Sequence, residues 1–162
     1  MKKGILVAIT ILVGTTAVRA QEQTPAQKVE VERAKVRAAM LEVNRRLADS
    51  LSAGRAEDVA DCFTEDAALL PPGASPIGGR AAVAAYFKQL IESGKLTYQV
   101  KSTLGSFEGP LGYDAGRYAL AIDPKQGSGW RDAGKFVTIL RKGADGKWRI
   151  SLDIWNSDAA AE

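Results

Sequence analysis

No histidine occurs among the 162 residues, and that absence excludes whole classes of chemistry. Without imidazole there is no Ser-His-Asp or Cys-His nucleophilic system, and no metal site that needs His. A single cysteine, Cys62, leaves no partner for an internal disulfide and no multi-thiolate metal or iron–sulfur site. No nucleotide, flavin or haem motif is present, so neither a cofactor nor a metal is expected. Any catalysis falls to Asp, Glu, Lys, Tyr or Arg. What the chain does have is 46% apolar content, enough for one globular core at this length.

An excess of charge is also missing once the N-terminus is set aside. Residues 1–20 hold Lys2 and Lys3, an apolar run Gly4–Val13, and the small side chains Val18 and Ala20. The run is too short for a comfortable membrane span, and the pattern is that of a bacterial export signal cut after Ala20. No cysteine follows the run to carry a lipid, so an unanchored periplasmic or secreted protein is expected. Such a cut removes Lys2, Lys3 and Arg19, which leaves 19 basic residues against 19 acidic ones. With no net charge and no basic block, nucleic-acid binding loses its electrostatic basis.

The mature chain divides into a polar lead at 21–28 and one domain at 29–158. From about Lys28, Val36, Met40, Val43, Leu47 and Leu51 recur at helical spacing, and Gly54 is placed to end that helix. A short helix is predicted at Ala56–Phe63, a short strand at Ala67–Leu70 and a third helix at Arg80–Glu92. Cys62 falls on the buried side of the second helix, which makes it an inert thiol. The segments Leu96–Phe107, Leu111–Asp123, Trp130–Lys142 and Lys147–Asn156 are rich in β-branched and aromatic residues. Asp145-Gly146 marks a tight hairpin between the last two. Helices first and hairpins afterwards predict an α+β domain with a mainly antiparallel sheet.

Several stretches carry a resemblance. Leu51-Ser-Ala-Gly54 with Asp58-Val-Ala-Asp-Cys-Phe-Thr-Glu-Asp-Ala67, Gly78-Gly-Arg-Ala-Ala-Val-Ala-Ala-Tyr-Phe87, Gly116-Arg-Tyr118, Asp145-Gly-Lys-Trp-Arg-Ile150 and Asp153-Ile-Trp-Asn156 occur in that order. Together they resemble the nuclear-transport-factor-2-like (NTF2-like) superfamily, in its SnoaL-like and DUF4440 branch. The resemblance implies a cone: three N-terminal helices packed on a curved sheet, with a pocket at the open end. It also implies a homodimer formed through the outer face of the sheet. Fold alone does not choose among the isomerases, epoxide hydrolases, dehydratases, cyclases and binding domains of that group.

The residues argue against several of those chemistries. The catalytic Asp of the ketosteroid isomerases falls at about Pro71, their oxyanion Tyr at about Leu47 and their protonated Asp near Gly134. None of these can abstract a proton or hold an enolate. The dehydratase and Asp-His cyclase patterns need a histidine. Of the epoxide-hydrolase constellation, Asp153 matches one Asp and Arg117 the Arg, while Ala119 stands where the companion Asp belongs.

Strict alternation along the last strand sets Trp148, Ile150, Leu152 and Ile154 on one face, with Arg149, Ser151, Asp153 and Trp155 on the other. The resemblance turns the Asp153/Trp155 face to the pocket. Tyr118, Phe136 and Tyr86 are the further candidates for its lining. Arg117 alternates away from Tyr118, so only one of the two can face inward. Three readings stay open: a domain binding a small, largely apolar molecule through Asp153 and Trp155; a hydrolase or lyase with Asp153 as general base and Arg117 or Arg149 as electrostatic partner; and an interaction module without chemistry.

Overall fold

The computed structural model describes residues 24–159. The expected export segment, its cut after Ala20 and the start of the lead lie outside the described residues. Helix α1 spans Pro25–Ser52, so it takes in the end of the stretch read as a flexible lead. The reason is a capping box. Thr24 Oγ1 accepts from the Gln27 N–H at 3.3 Å, and the Gln27 side chain accepts from the Thr24 N–H at 2.8 Å. Pro25 adds a preset φ at the first helical position. Met40, Val43, Leu47 and Leu51 form the buried stripe.

Helix α2 is only Ala56–Ala60, and strand β1 begins at Phe63, where the short helix was expected to continue. Pairing outweighs local periodicity here. β1, Phe63–Leu70, lies parallel to the last strand, with Phe63 opposite Ile150 and Cys62 O accepting from the Ile150 N–H at 2.8 Å. β2, Ile77–Gly78, closes a short antiparallel return onto β1. Arg80 opens α3, Arg80–Ser93, and donates from Nε to Phe63 O at 2.9 Å. The four long strands follow: β3 Gly94–Glu108, β4 Leu111–Pro124, β5 Trp130–Lys142 and β6 Trp148–Ser157.

The sheet order is β2-β1-β6-β5-β4-β3, antiparallel throughout except for the β1–β6 pair. This is an α+β fold of NTF2-like type: N-terminal helices packed on a mixed, curved six-stranded sheet. Leu47, Leu51, Val59, Phe63, Leu69, Val83, Phe87, Leu140 and Ile150 fill the space between helices and sheet. No helix among the described residues is long and apolar enough to cross a membrane.

One irregularity decides the site. Leu140 pairs with Ile150 but Ile139 pairs with Leu152, so Ser151 is an extra residue in β6. Its Oγ donates to Ile139 O at 3.1 Å and fastens the bulge. Strict alternation therefore fails within β6. Trp148 and Ile150 face the helices, and after the bulge Asp153 and Trp155 face them too. Arg149, which alternation grouped with Asp153, is left on the opposite face.

Candidate functional site

Beyond the core, the inner face of the sheet opens into a cavity of about 320 Å³. Leu47 and Leu51 of α1 and Tyr86, Phe87 and Leu90 of α3 form one side. Tyr98, Tyr118, Trp130, Asp132, Asp153 and Trp155, from β3 to β6, form the other, with Pro72 at the edge. Its walls are ring-rich. Tyr86 lies 6.4 Å from Trp155 and 5.3 Å edge-on from Phe87, and Tyr98 lies 6.3 Å from Tyr118, all between ring centroids.

Asp153 is 6% exposed and stands opposite Thr138 on β5. Among the described residues no hydrogen bond or ion pair reaches its carboxylate. Burial alone pushes this carboxyl up to about 7. Its charge and burial together act on two neighbours: the Tyr98 and Tyr86 hydroxyls are both held above their ordinary value, by burial first and by Asp153 second. A carboxyl poised near neutrality can give or take a proton, or meet a ligand's polar group.

Asp132, Tyr98 and Trp130 complete the lining and were not singled out from the sequence. Tyr118 OH donates to Asp132 Oδ2 at 2.6 Å, and Ser157 Oγ donates to Oδ1 at 2.5 Å. The signal was available for Asp132: it sits four residues before Phe136, so strand alternation puts the two on one face.

The other candidates divide. Tyr118 is buried and faces inward, and Arg117 consequently faces out, where it pairs with Asp158. Arg149 pairs with Asp145 across the hairpin at 2.8 Å, on the far side of the Ser151 bulge. Neither arginine is an electrostatic partner of Asp153; that expectation is corrected by the alternation of β4 and by the bulge of β6. Phe136 is buried opposite Trp155 and packs beside the cavity rather than lining it. Cys62 is buried, and burial raises its thiol despite the Arg46 guanidinium beside it.

A second buried carboxylate, Asp114 on β4, makes the contrast clear. It accepts from Asn44 of α1 and from Ser102 Oγ at 2.5 Å, and burial still holds it above the ordinary range. Asp114 is a tied crosslink between α1 and the sheet. Asp153 is untied and faces space. Among the described residues no group of three carboxylates or thiols is placed to hold a metal ion.

A family model described as a SnoaL-like domain matches residues 44–150. A search of the curated proteins finds no match. Among solved structures, the chain is similar to a protein of unknown function from Mycobacterium tuberculosis, at 21% identity, TM-score 0.71, and coverage of 85% of this chain and 78% of that one. It is similar to an NTF2-like protein with a cystatin-like fold from Novosphingobium aromaticivorans, at 18% identity and TM-score 0.70, covering 83% and 90%. A ketosteroid isomerase-like protein from Erwinia carotovora atroseptica aligns at 19% identity and TM-score 0.62, covering 80% and 98%. At these identities the structures speak for the fold alone. With the family model spanning α1 to β6, the chain belongs to the SnoaL-like domain family.

Proposed function

We propose that this chain is an exported SnoaL-like domain that binds a small, largely apolar molecule in the cavity between α1, α3 and the sheet. Asp153 fixes the ligand's polar group, and Trp155 and Tyr86 supply the wall. The observation that carries this reading is the unpartnered, buried Asp153 on a ring-lined cavity of about 320 Å³. The Lys2-Lys3 start, the short apolar run and the Val18-x-Ala20 ending support export. The hairpin and closing Asp153-Ile-Trp-Asn156 support the DUF4440 branch.

Native mass spectrometry of protein purified from the periplasm tests this directly. A small-molecule adduct is expected on the wild type, reduced several-fold in Trp155→Ala and in Asp153→Asn. Clean apoprotein in all three, with no uptake of small aromatic probes, would sink the reading. Sequencing the N-terminus of the same sample checks the cut after Ala20.

A second reading is favoured by one specific observation, the carboxyl at about 7. That value suits a general base or acid near neutral pH. An enzyme would draw its electrostatic partner from Tyr86, Tyr98 or the substrate itself, since both candidate arginines face outward.

The homodimer rests on the outer face of the sheet. Leu104, Ala115, Val137 and Ile154 lie in one row across β3, β4, β5 and β6, and Leu104, Val137 and Ile154 are exposed. An apolar row of this kind is covered when a second copy stacks on it. Val137→Lys is expected to convert dimer to monomer in sedimentation velocity, with the fold retained by circular dichroism. An unchanged sedimentation coefficient would remove this face from the assembly.

A further inference from the structure

We infer that the cavity selects an organic ammonium ion over a neutral molecule of the same shape, with Asp153 as the anionic partner and the rings of Tyr86, Tyr98 and Trp155 as the surrounding walls. This rests on the pocket reading above and goes beyond it by naming the ligand's charge.

The charges around the cavity are one-sided. Asp153 and Asp132 both line it, and among the described residues Asp132 receives two hydroxyl donors and no cation. Among the described residues, Arg131 is the sole basic one in the lining. It is 72% exposed and turned to Asp123 at 3.4 Å. An apolar cavity with two carboxylates and no inward cation has an unmet demand for positive charge.

The wall chemistry says which kind of cation. Aromatic faces attract ammonium groups and offer no lone-pair ligands to a metal ion. Three rings around one carboxylate therefore fit a protonated amine whose N–H donates to Asp153 and whose carbon body packs on the rings. A neutral alcohol of equal shape gains the packing and a neutral O–H donor to Asp153, but it leaves the charge of the ionised carboxylate uncompensated.

Binding must then be linked to protons. An ammonium ion binds the ionised carboxylate, so below about 7 each binding event first displaces the proton from Asp153. Affinity is expected to rise about tenfold between pH 6 and pH 8. The titratable groups that line the cavity with Asp153 are Tyr86 from α3, Tyr98 from β3, Tyr118 from β4 and Asp132 from β5, with Arg131 of β5 exposed and turned to Asp123; the lining of α1 is apolar. None of the tyrosines titrates in that window, because burial raises all three.

Isothermal titration with 2-phenylethylamine and its neutral isostere 2-phenylethanol, on full-length mature protein, decides it. At pH 8 the amine should bind at least about tenfold more tightly than the alcohol, and its advantage should shrink toward pH 6. Asp153→Asn should abolish the preference while still binding the alcohol. Equal affinities at pH 8, or a preference that survives Asp153→Asn, would overturn the cation inference and leave the pocket reading standing. Absence of binding by both probes at millimolar concentration would overturn both.

Discussion

Asp153→Asn is expected to stabilise the ligand-free protein by about 4 kcal/mol at pH 8 and by less than about 1 kcal/mol at pH 4. The folded carboxyl titrates at about 7 against an ordinary 3.8, because burial disfavours its charge. Below 3.8 both folded and unfolded chains hold the proton, so no penalty arises there. Between about 4 and 7 the unfolded chain has lost a proton that the folded chain keeps. Stability therefore falls as pH rises through that window and levels off above it. Asparagine keeps the shape without the charge, which removes the penalty only where Asp153 would ionise. Asp114, also raised, and Asp66, Asp145 and Asp158, all lowered by basic neighbours, are common to both proteins and cancel. Urea unfolding at the two pH values measures the difference. An equal gain at both would assign the effect to packing, and no gain at pH 8 would mean that the ionised carboxylate is solvated.

A protein that keeps such a group without a partner gives up stability that a single substitution restores. That trade is expected where a site must present an unsatisfied group to a ligand. It also explains why Asp114 and Asp153, both buried on one sheet face, behave differently. Asp114 has Asn44 and Ser102 to answer its charge, and removing those donors would leave a buried group orphaned. Asp153 has a cavity in place of donors.

Much of this architecture was legible because periodicity reports burial. The 3.6-residue stripe of α1 and the Asp145-Gly146 turn each state their structure locally, and the four long strands came out within a few residues of their observed bounds. Asp153 and Trp155 were legible by resemblance to a site rather than by pattern. What escaped was set by pairing between distant segments. Phe63 reads as the end of a helix until its partner Ile150 is known, and then it begins a strand. The Ser151 bulge cannot be inferred from β6 alone, since it exists only in the register against Ile139 and Leu140. That one residue decides whether Arg149 accompanies Asp153, and it does not. Thr24 and Gln27 were a local signal, a capping box, hidden because its polar composition also suits a flexible lead.

Gly134→Ala is expected to cost about 3 kcal/mol and to disrupt the site, a second effect on the scale of the first. A Cβ at Gly134 would lie 1.9 Å from Asn156 O and 3.0 Å from the Tyr118 ring. Asn156 O belongs to the backbone of β6, so rotamer adjustment cannot relieve the contact. The end of β6 must move away from β5, where Gly134 pairs with Ser157 and the Asp158 N–H donates to Ala133 O at 2.8 Å. Ser157 and Tyr118 both donate to Asp132, so the same shift loosens that side of the cavity. Gly78→Ala is the control: its Cβ meets nothing within 4 Å, and it should change stability by less than about 0.5 kcal/mol. Urea midpoints together with 2-phenylethanol binding give the comparison, and Gly134→Ala unfolding within about 0.5 kcal/mol of wild type would refute the steric account. The resemblance to isomerases sets a protonated Asp near this position, and the approach of β6 shows why none could stand here. A side chain at Gly134 requires a different spacing of β5 and β6, so backbone geometry accounts for glycine at this position.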